Sequence, residues 1–329
     1  MKTKIFRIIS VLVLVLLIFV VGMFIAGAVA KSNLVKQNPA PGQLVDVGGF
    51  KMHINCMGRG SPTVILAAGT ADFSTTWTYV QPEVAKLTRV CSYDRAGLGW
   101  SEPSPYPRTV DTTVEELHTL LVNAGVQGPY VLVGHSLGGM HMRVYAYKYP
   151  QEVVGLIQVD SLHEDQPVHD SEYTKANQDD SKQFRIFALL NSTGIMALAP
   201  QSIPNLGLPK DAYAQWQASL ATSDYFKTTL AEINAQEENC AEVRALKITG
   251  FGTMPLIVLS AGQQNMITSL SDAGNQQRWE VWQALQSELA ALSSEGKQII
   301  AEQSSHMIQL IQPDLVIESI REMVDAIRK

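Results

Sequence analysis

The apolar positions change rhythm along this chain, and each rhythm predicts a different kind of element. Residues 8–30, "IISVLVLVLLIFVVGMFIAGAVA", are apolar except for Ser10. As a helix, such a run spans roughly 34 Å, enough to cross a hydrocarbon core. Residues 44–58, "LVDVGGFKMHINCMG", alternate on either side of Gly48-Gly49 and predict a β-hairpin. "PTVILAAG", 62–69, is a short continuous apolar run, as expected of a strand buried on both faces. Strands of the same kind follow at 89–93, 130–134, 153–161 and 254–262, and a last one lies within "KQIIAEQSSH". Between them, apolar residues recur at helical spacing over 109–126, after residue 136, over 276–292 and through the closing "PDLVIESIREMVDAIRK".

Strands alternating with helices predict an α/β fold: a mostly parallel central sheet with helices on both faces. The alternation stops between 162 and 250. That stretch holds helical pieces such as "KQFRIFALL" and "DAYAQWQASLATSDYFKTTLAEINAQEENCAEVRAL" but no convincing strand. An all-helical insert between two strands of one sheet reads as a cap over the sheet's carboxyl edge. The expected organisation is an N-terminal segment (1–30), a linker (31–43), a body (44–161 and 251–329) and a helical cap (162–250).

The N-terminal run reads as an uncleaved transmembrane anchor, with a cleaved signal peptide as the competing reading. Its length exceeds the usual signal peptide core, yet "AVA" at 28–30 resembles a cleavage site. Lys2, Lys4 and Arg7 precede the run, and Lys31 and Lys36 follow it more sparsely. The positive-inside rule then puts the body on the extracytoplasmic side, or free in the medium if the segment is removed. "KSNLVKQNPAPGQ", 31–43, is polar with Pro39, Pro41 and Gly42, and reads as a linker.

Charge and cysteine content narrow the partners. The formal net charge of −6 leaves no basic footprint for nucleic acid. Cys56, Cys91 and Cys240 form neither a disulfide framework nor a metal-binding pair. Nothing in the sequence calls for a metal or a cofactor.

Within "YVLVGHSLGGMHMRVYAYKYP", 130–150, a polar Ser136 stands at the bend between a strand and a helix. Gly134-His135-Ser136-Leu137-Gly138 fits G-x-S-x-G in the strand–turn–helix setting that gives the motif its meaning. Such a turn lifts the hydroxyl into a cleft and aims the Leu137 N–H at the place where an oxyanion would form. The competing reading is a serine that caps the following helix.

With this elbow the sequence resembles the α/β-hydrolase family, in its serine-nucleophile, esterase- and lipase-like branch. The resemblance covers residues 44–329 and rests on further stretches. "YDRAGLGWSEPS", 93–104, is similar to the family's D-x-x-G-x-G-x-S loop; "LAAGTADFSTTW", 66–77, stands where the family has its oxyanion loop; and "SSHMIQLIQPDLVIESI" resembles its histidine loop and closing helix.

A serine hydroxyl needs a base. Of the seven histidines only His306 follows the last strand, in a loop, in the family order serine, acid, histidine. His53 lies in the hairpin and His118 on a helix; His135 and His141 flank the elbow and are expected to point elsewhere; His163 and His169 open the cap. The acid departs from the commonest pattern. The strand at 254–262 is followed by Gln263, Gln264 and Asn265, with no carboxylate before Asp272. The family's alternative position, the end of the strand after the elbow helix, falls on Asp160; Asp272, Glu164 and Asp165 stay open as rivals. By position, the second oxyanion donor is the Thr70 N–H, with Ala71 a near rival. Asp94 and Arg95 are expected to brace their loop by hydrogen bonds and an ion pair.

The resemblance implies a serine hydrolase that cleaves an ester or related acyl substrate through an acyl-enzyme. A non-catalytic binding or receptor protein on the same fold is an alternative, as is a peptidase or C–C hydrolase using the same residues. A serine at position 136 argues against the family's dehalogenases and epoxide hydrolases, which carry an aspartate there. Phe184, Phe187, Leu189, Leu190, Met196, Trp216 and Tyr225 suggest a small-molecule substrate with an apolar part, unless they serve to pack the cap onto the body. The family's sheet would make the strands of Cys56 and Cys91 neighbours. Buried strand cysteines are ordinarily plain small hydrophobes, and that reading is favoured over a bond.

Overall fold

The computed structural model describes residues 2–221, 223–268 and 270–329. Its centre is an eight-stranded sheet in the order β1-β2-β4-β3-β5-β6-β7-β8. The strands are β1 (Gln43–Asp46), β2 (Lys51–Met57), β3 (Thr63–Ala67), β4 (Val90–Tyr93), β5 (Tyr130–His135), β6 (Val153–Val159), β7 (Leu256–Ala261) and β8 (Gly296–Ala301). The hairpin β1–β2 and the β2–β4 pair are antiparallel; every other pair is parallel. The expected mostly parallel sheet is therefore present.

The helices, in chain order, are α1 (Lys2–Gln37), α2 (Gln81–Val84), α3 (Val110–Asn123), α4 (Leu137–Lys148), α5 (Gln166–His169), α6 (Tyr173–Ser192), α7 (Ile195–Leu198), α8 (Lys210–Leu220), α9 (Ser223–Leu246), α10 (Asp272–Ala290), α11 (Ile308–Ile311) and α12 (Pro313–Ile327). Continuous apolar strands feed two cores at once because successive side chains point to opposite faces. Ile65, Leu132, Leu156 and Val258 join one cluster with α3 and α4. Val64, Leu66, Val131, Val133, Ile157 and Leu259 join the other with α2 and α12. Each fully buried side chain of this size contributes about 1.5–3 kcal/mol, so the sheet is a rigid platform for whatever its edge carries.

The five helices α5–α9 all lie between β6 and β7. They are fastened to the body by an aromatic cluster in which Phe73 stacks on Trp216 at 5.0 Å, with Tyr225 and Phe226 alongside. A buried ion pair adds to this: Arg95 donates to both carboxylate oxygens of Glu232 on α9, at 2.6 and 2.9 Å.

Three expectations change. Helix α1 does not stop at the end of the apolar run but continues to Gln37, so residues 31–37 are helical rather than linker. "KSNLVKQ" contains no helix breaker; the first is Pro39. Helix α10 begins at Asp272, earlier than the apolar spacing suggests, because Ser271 caps it by accepting from the Gly274 N–H at 3.1 Å. Cys56 and Cys91 are not a pair of free thiols. They face each other in register on β2 and β4 and are joined, with S–S 2.02 Å. Burial favoured the wrong reading here; cross-strand register decided the matter, and register was not visible in the sequence. Cys240 carries no disulfide.

Candidate active site

The strand order reverses around β3, which has β4 on one side and β5 on the other. In open α/β sheets ligands bind at the carboxyl ends of strands beside such a switch point. The carboxyl ends of β3 and β5 carry the two loops that matter here, 68–72 and the turn at Ser136.

Ser136 has φ +51 and ψ −123. A serine gains nothing locally from this left-handed region, at a cost of about 1–3 kcal/mol, so the surroundings must impose it. The Ser136 N–H donates to the Val159 carbonyl on β6, and its carbonyl accepts from Leu162 and Gly139. The flanking glycines answer to close approach. A Cβ on Gly134 would stand 2.5 Å from the Gly139 Cα, and one on Gly138 would stand 2.5 Å from the Ala68 carbonyl oxygen. Any side chain at either position would force the elbow open.

Asp160 leaves the end of β6 with φ +42, a second strained position. Its Oδ2 accepts from His306 Nδ1 at 2.6 Å. Its Oδ1 accepts from the Ala261 N–H and from the Trp282 indole N–H, both at 2.9 Å. The carboxylate is almost fully buried, whereas the imidazole is about a quarter exposed. A proton held on Nδ1 by this contact leaves Nε2 as the ring's acceptor. Ser136, Asp160, His306, Thr70 and Ala71 all line one cavity of about 320 Å³.

The rival acids stand elsewhere. Asp272 is exposed in the first turn of α10, Glu164 pairs with Arg143 at 2.6 Å, and Asp165 precedes α5. Among the described residues, Asp160 alone is paired with His306.

The loop 68–72 is held by Arg95, which donates to the carbonyls of Ala68 (2.5 Å) and Gly69 (2.7 Å) while gripping Glu232. The loop packs so tightly on the elbow that a Cβ on Gly69 would lie 3.0 Å from the Ser136 Cβ. Ala71 has φ +64, and its carbonyl accepts from the Tyr225 hydroxyl of the cap at 2.6 Å. The N–H groups of Thr70 and Ala71 donate to no backbone carbonyl among the described residues.

Asp94 and Arg95 do brace the loops, but not through each other. Asp94 accepts from the N–H groups of Ser74 (2.8 Å) and Trp100 (3.0 Å) and pairs with His53 at 2.8 Å. Burial opposes charge on both partners, but their attraction outweighs it: the His53 pKa is held up and the Asp94 pKa held down. Arg95 pairs with the cap instead.

His135, Asp72 and Trp282 also stand at the site, the first of them against expectation. The His135 ring does not point away from the site. Its Nε2 hydrogen-bonds the His306 carbonyl at 3.0 Å, and the two rings lie 4.6 Å apart. Its Nδ1 faces the Asp72 carboxyl at 3.8 Å. Burial holds the His135 imidazole well below its ordinary pKa, so it is neutral, with Nε2–H as donor. The same burial pushes the Asp72 carboxyl up to about 7, against the pull of Arg95 and His306. Trp282 was equally silent, since an indole at helical spacing looks like core. His141 is buried, which holds its pKa well below the ordinary value, and does not line the cavity.

Of the apolar cap residues expected around a substrate, Phe184 reaches the cavity, whereas Trp216 and Tyr225 pack on Phe73 and Leu189 is exposed. Trp279 and Trp282 from α10 supply aromatic surface instead, and Gln166, Asn177, Gln236 and Gln264 add a polar wall. Among the described residues, one group elsewhere has ligand-like spacing: His163, Asp165 and Glu288. His163 Nδ1 accepts from the Asp165 N–H at 3.0 Å, which leaves the proton of the neutral ring on Nε2. Neither nitrogen then offers a lone pair to a metal.

Comparison with known proteins identifies the fold. Residues 62–310 match the alpha/beta hydrolase fold family. The chain belongs to that family. The matched stretch contains the elbow, Asp160 and His306, and excludes α1. Protein YbdG of Bacillus subtilis (strain 168) is 24% identical over 295 residues, covering 87% of this chain and 86% of YbdG. A thermophilic esterase from Thermogutta terrifontis superposes with TM-score 0.60 at 18% identity, over 87% of this chain and 99% of that one. An epoxide hydrolase from Vigna radiata gives 0.66 at 16%, over 86% and 97%. At such identities the likeness is one of fold. Within the alpha/beta hydrolase family, the chemistry must be argued from the residues at the sheet's edge.

Proposed function

We propose that the protein is a serine hydrolase that cleaves an ester through an acyl-enzyme. The observation that carries this reading is a serine on the strained turn after β5, in one cavity with an imidazole whose Nδ1 is 2.6 Å from a buried carboxylate. In this reading Ser136 Oγ attacks the carbonyl carbon as His306 Nε2 takes its proton. The Asp160 carboxylate stabilises the imidazolium that forms. The N–H groups of Leu137 and of Thr70, with Ala71 beside it, receive the oxyanion. Collapse of the tetrahedral intermediate expels the alcohol, which leaves with the proton from His306. Water then repeats the sequence on the acyl-enzyme and frees Ser136. Residues 162–250 act as the cap that closes the cavity over the body, 44–161 and 251–329.

Helix α1 is read as a membrane anchor, with the body on the extracytoplasmic side. It is long and apolar enough to cross a bilayer, and its most apolar window is wholly unburied. A disulfide between Cys56 and Cys91 suits an oxidising compartment.

Labelling with a fluorophosphonate probe, followed by acyl esters of graded chain length, tests the chemistry. The wild type should be labelled and active, and Ser136→Ala neither. Ester hydrolysis that survives in Ser136→Ala would overturn the mechanism. A binding protein on this fold would show no turnover at all.

A further inference from the structure

We propose that the α6–α7 end of the cap rests on the bilayer that α1 crosses, with Ile186, Leu189, Leu190, Ile195 and Leu198 in contact with lipid. The proposal rests on α1 being a membrane span and goes beyond it: an anchor by itself says nothing about how the body is held.

Helix α1 is not a loose tether. It packs against α7 and α8. Gly27 and Gly194 meet so closely that a Cβ built on either would lie 2.7 Å from the other's Cα. Two glycines allow this backbone approach, as small residues do between helices in membranes. Just past the helix, the Trp100 indole N–H donates to the Asn38 carbonyl at 3.0 Å, and the His53 ring bonds the Pro41 carbonyl. The cap and the hairpin therefore both fix the direction in which α1 leaves the body.

That contact sets a depth. Gly27 lies within the apolar run, before Lys31, and the rise of a helix puts it about 6 Å inside that first charge. Gly194 is thus held where α1 is still apolar. The side chains around Gly194 match this environment: Leu189 is 69% exposed and Ile186 60%, with Leu190, Ile195 and Leu198 also exposed. In water, a patch of this kind at one corner of a cap would be a liability. The backbone there is suited to a poorly hydrated layer as well. The Ser192 and Thr193 hydroxyls turn back to the Leu189 and Leu190 carbonyls at 2.7 and 2.6 Å, and the Gly194 N–H donates to the Asn191 carbonyl at 3.0 Å. These two hydroxyls and this N–H at the end of α6 are thereby satisfied without water, as lipid contact demands. Burial of an apolar helix face about 5–10 Å into the headgroup boundary is the usual mode of such contact.

The arrangement has a consequence for substrate. The same helix that ends in this patch lines the cavity with Asn177, Asp180 and Phe184. One side of α6 faces the candidate nucleophile's cavity, and its end meets lipid. An amphiphilic ester carried by the membrane would have a short path to the cavity.

Spin labels on single introduced cysteines in the intact chain, reconstituted into phosphatidylcholine nanodiscs, test the proposal. Collisions with oxygen report lipid, and collisions with a nickel chelate report water. The unmodified chain, with Cys240 buried, serves as the blank. Leu16→Cys in α1 and Val122→Cys on the exposed face of α3 bracket the scale. Leu189→Cys and Ile195→Cys should resemble Leu16→Cys, and Leu190→Cys repeats the measurement should either fail to fold. Nickel-accessible labels at 189 and 195 beside a lipid-exposed label at 16 would overturn the proposal while leaving the anchor intact. A water-exposed label at 16 would overturn the anchor and the proposal together. Labels at 189 and 195 shielded from both reagents would replace lipid with a protein partner and equally overturn it.

Discussion

The carboxyl ends of β6 and β8 carry one acid–imidazole pair, and the loop after β3 with the end of β5 carries another. The two are in ring contact, yet they are built for different work. Asp160 and His306 meet at 2.6 Å, with the acid's second oxygen held by a backbone N–H and an indole N–H. Asp72 and His135 stand 3.8 Å apart, and the Asp72 carboxyl has only distant help, from Arg95 and His306. The first imidazole is partly exposed to the cavity; the second is sealed and kept neutral. A carboxyl beside an imidazole is therefore not sufficient for an acid–base pair of the kind proposed for Asp160 and His306. What distinguishes the pairs is the supply of N–H donors to the acid and the access of the ring's far nitrogen to a reacting group. In the second pair that far nitrogen is already committed to the His306 carbonyl.

The largest effects expected come from breaking the first pair and the candidate nucleophile, Ser136. Ser136→Ala and His306→Ala should each lower kcat by about 10⁴–10⁶, since residues acting as a unit fail as a unit. Asp160→Asn should cost about 10³–10⁴ by favouring the wrong imidazole tautomer. Asp272→Asn, at the exposed start of α10, should leave kcat within about twofold, well inside the usual range for surface changes. Steady-state rates on a soluble ester decide this, with circular dichroism to show that each variant is folded. An Asp160→Asn variant no worse than Asp272→Asn would remove Asp160 from the site.

How much of this was legible depended on whether the information was local. The turn at Ser136 could be read from its glycines, because a strained elbow has few sequence solutions. His306 could be singled out because it follows the last strand, and Asp160 because it ends β6. The mostly parallel sheet followed from continuous apolar runs. Asp72, His135 and Trp282 were not legible, because their roles exist only in contacts between segments far apart in the chain. His135 is the clearest case. Its neighbour Ser136 made it look averted, yet the strand-end geometry turns its ring onto the backbone of residue 306. The Glu232–Arg95 pair was not legible either, because it joins residues far apart in the chain. The Cys56–Cys91 bond needed strand register, and the reach of α1 to Gln37 needed the absence of a breaker weighed above the polarity of the stretch.

A smaller effect should come from loosening the strut between the two pairs. His135→Ala removes the Nε2–H donor to the His306 carbonyl while leaving both members of the first pair in place. Misplacement of a reacting group by as little as an ångström can cost about 10²-fold, and part of that is expected here. We expect kcat to fall about 10–100-fold with KM nearly unchanged, because positioning rather than binding is lost. His135→Gln, whose amide can donate in the same direction, should recover much of the rate. Equal losses in the Ala and Gln variants would mean that the ring acts by packing alone.

The smallest effect on turnover is expected at Asp72, where the effect on stability is instead dependent on pH. Burial raises this carboxyl from an ordinary 3.8 to about 7 in the folded chain. A group whose folded pKa is raised contributes stability that is fully present below the unfolded value and is lost as pH rises through the folded one. Between pH 4 and pH 7 the unfolded chain releases the Asp72 proton while the folded chain retains it, so this residue makes the fold progressively less stable across that window. Asp72→Asn keeps the shape and cannot ionise. The stability difference between variant and wild type should therefore grow in the variant's favour from pH 4 to pH 7 and level off above it. Taking the difference between the two proteins cancels the titration of every other group that the substitution leaves untouched. Thermal unfolding of the intact chain in detergent at pH 4.5, 6 and 8 measures it, and a relative gain of several degrees between pH 4.5 and pH 8 is the size expected in a chain of this length. A difference independent of pH would mean that Asp72 ionises normally and that the two acid–imidazole pairs are more alike than their surroundings indicate.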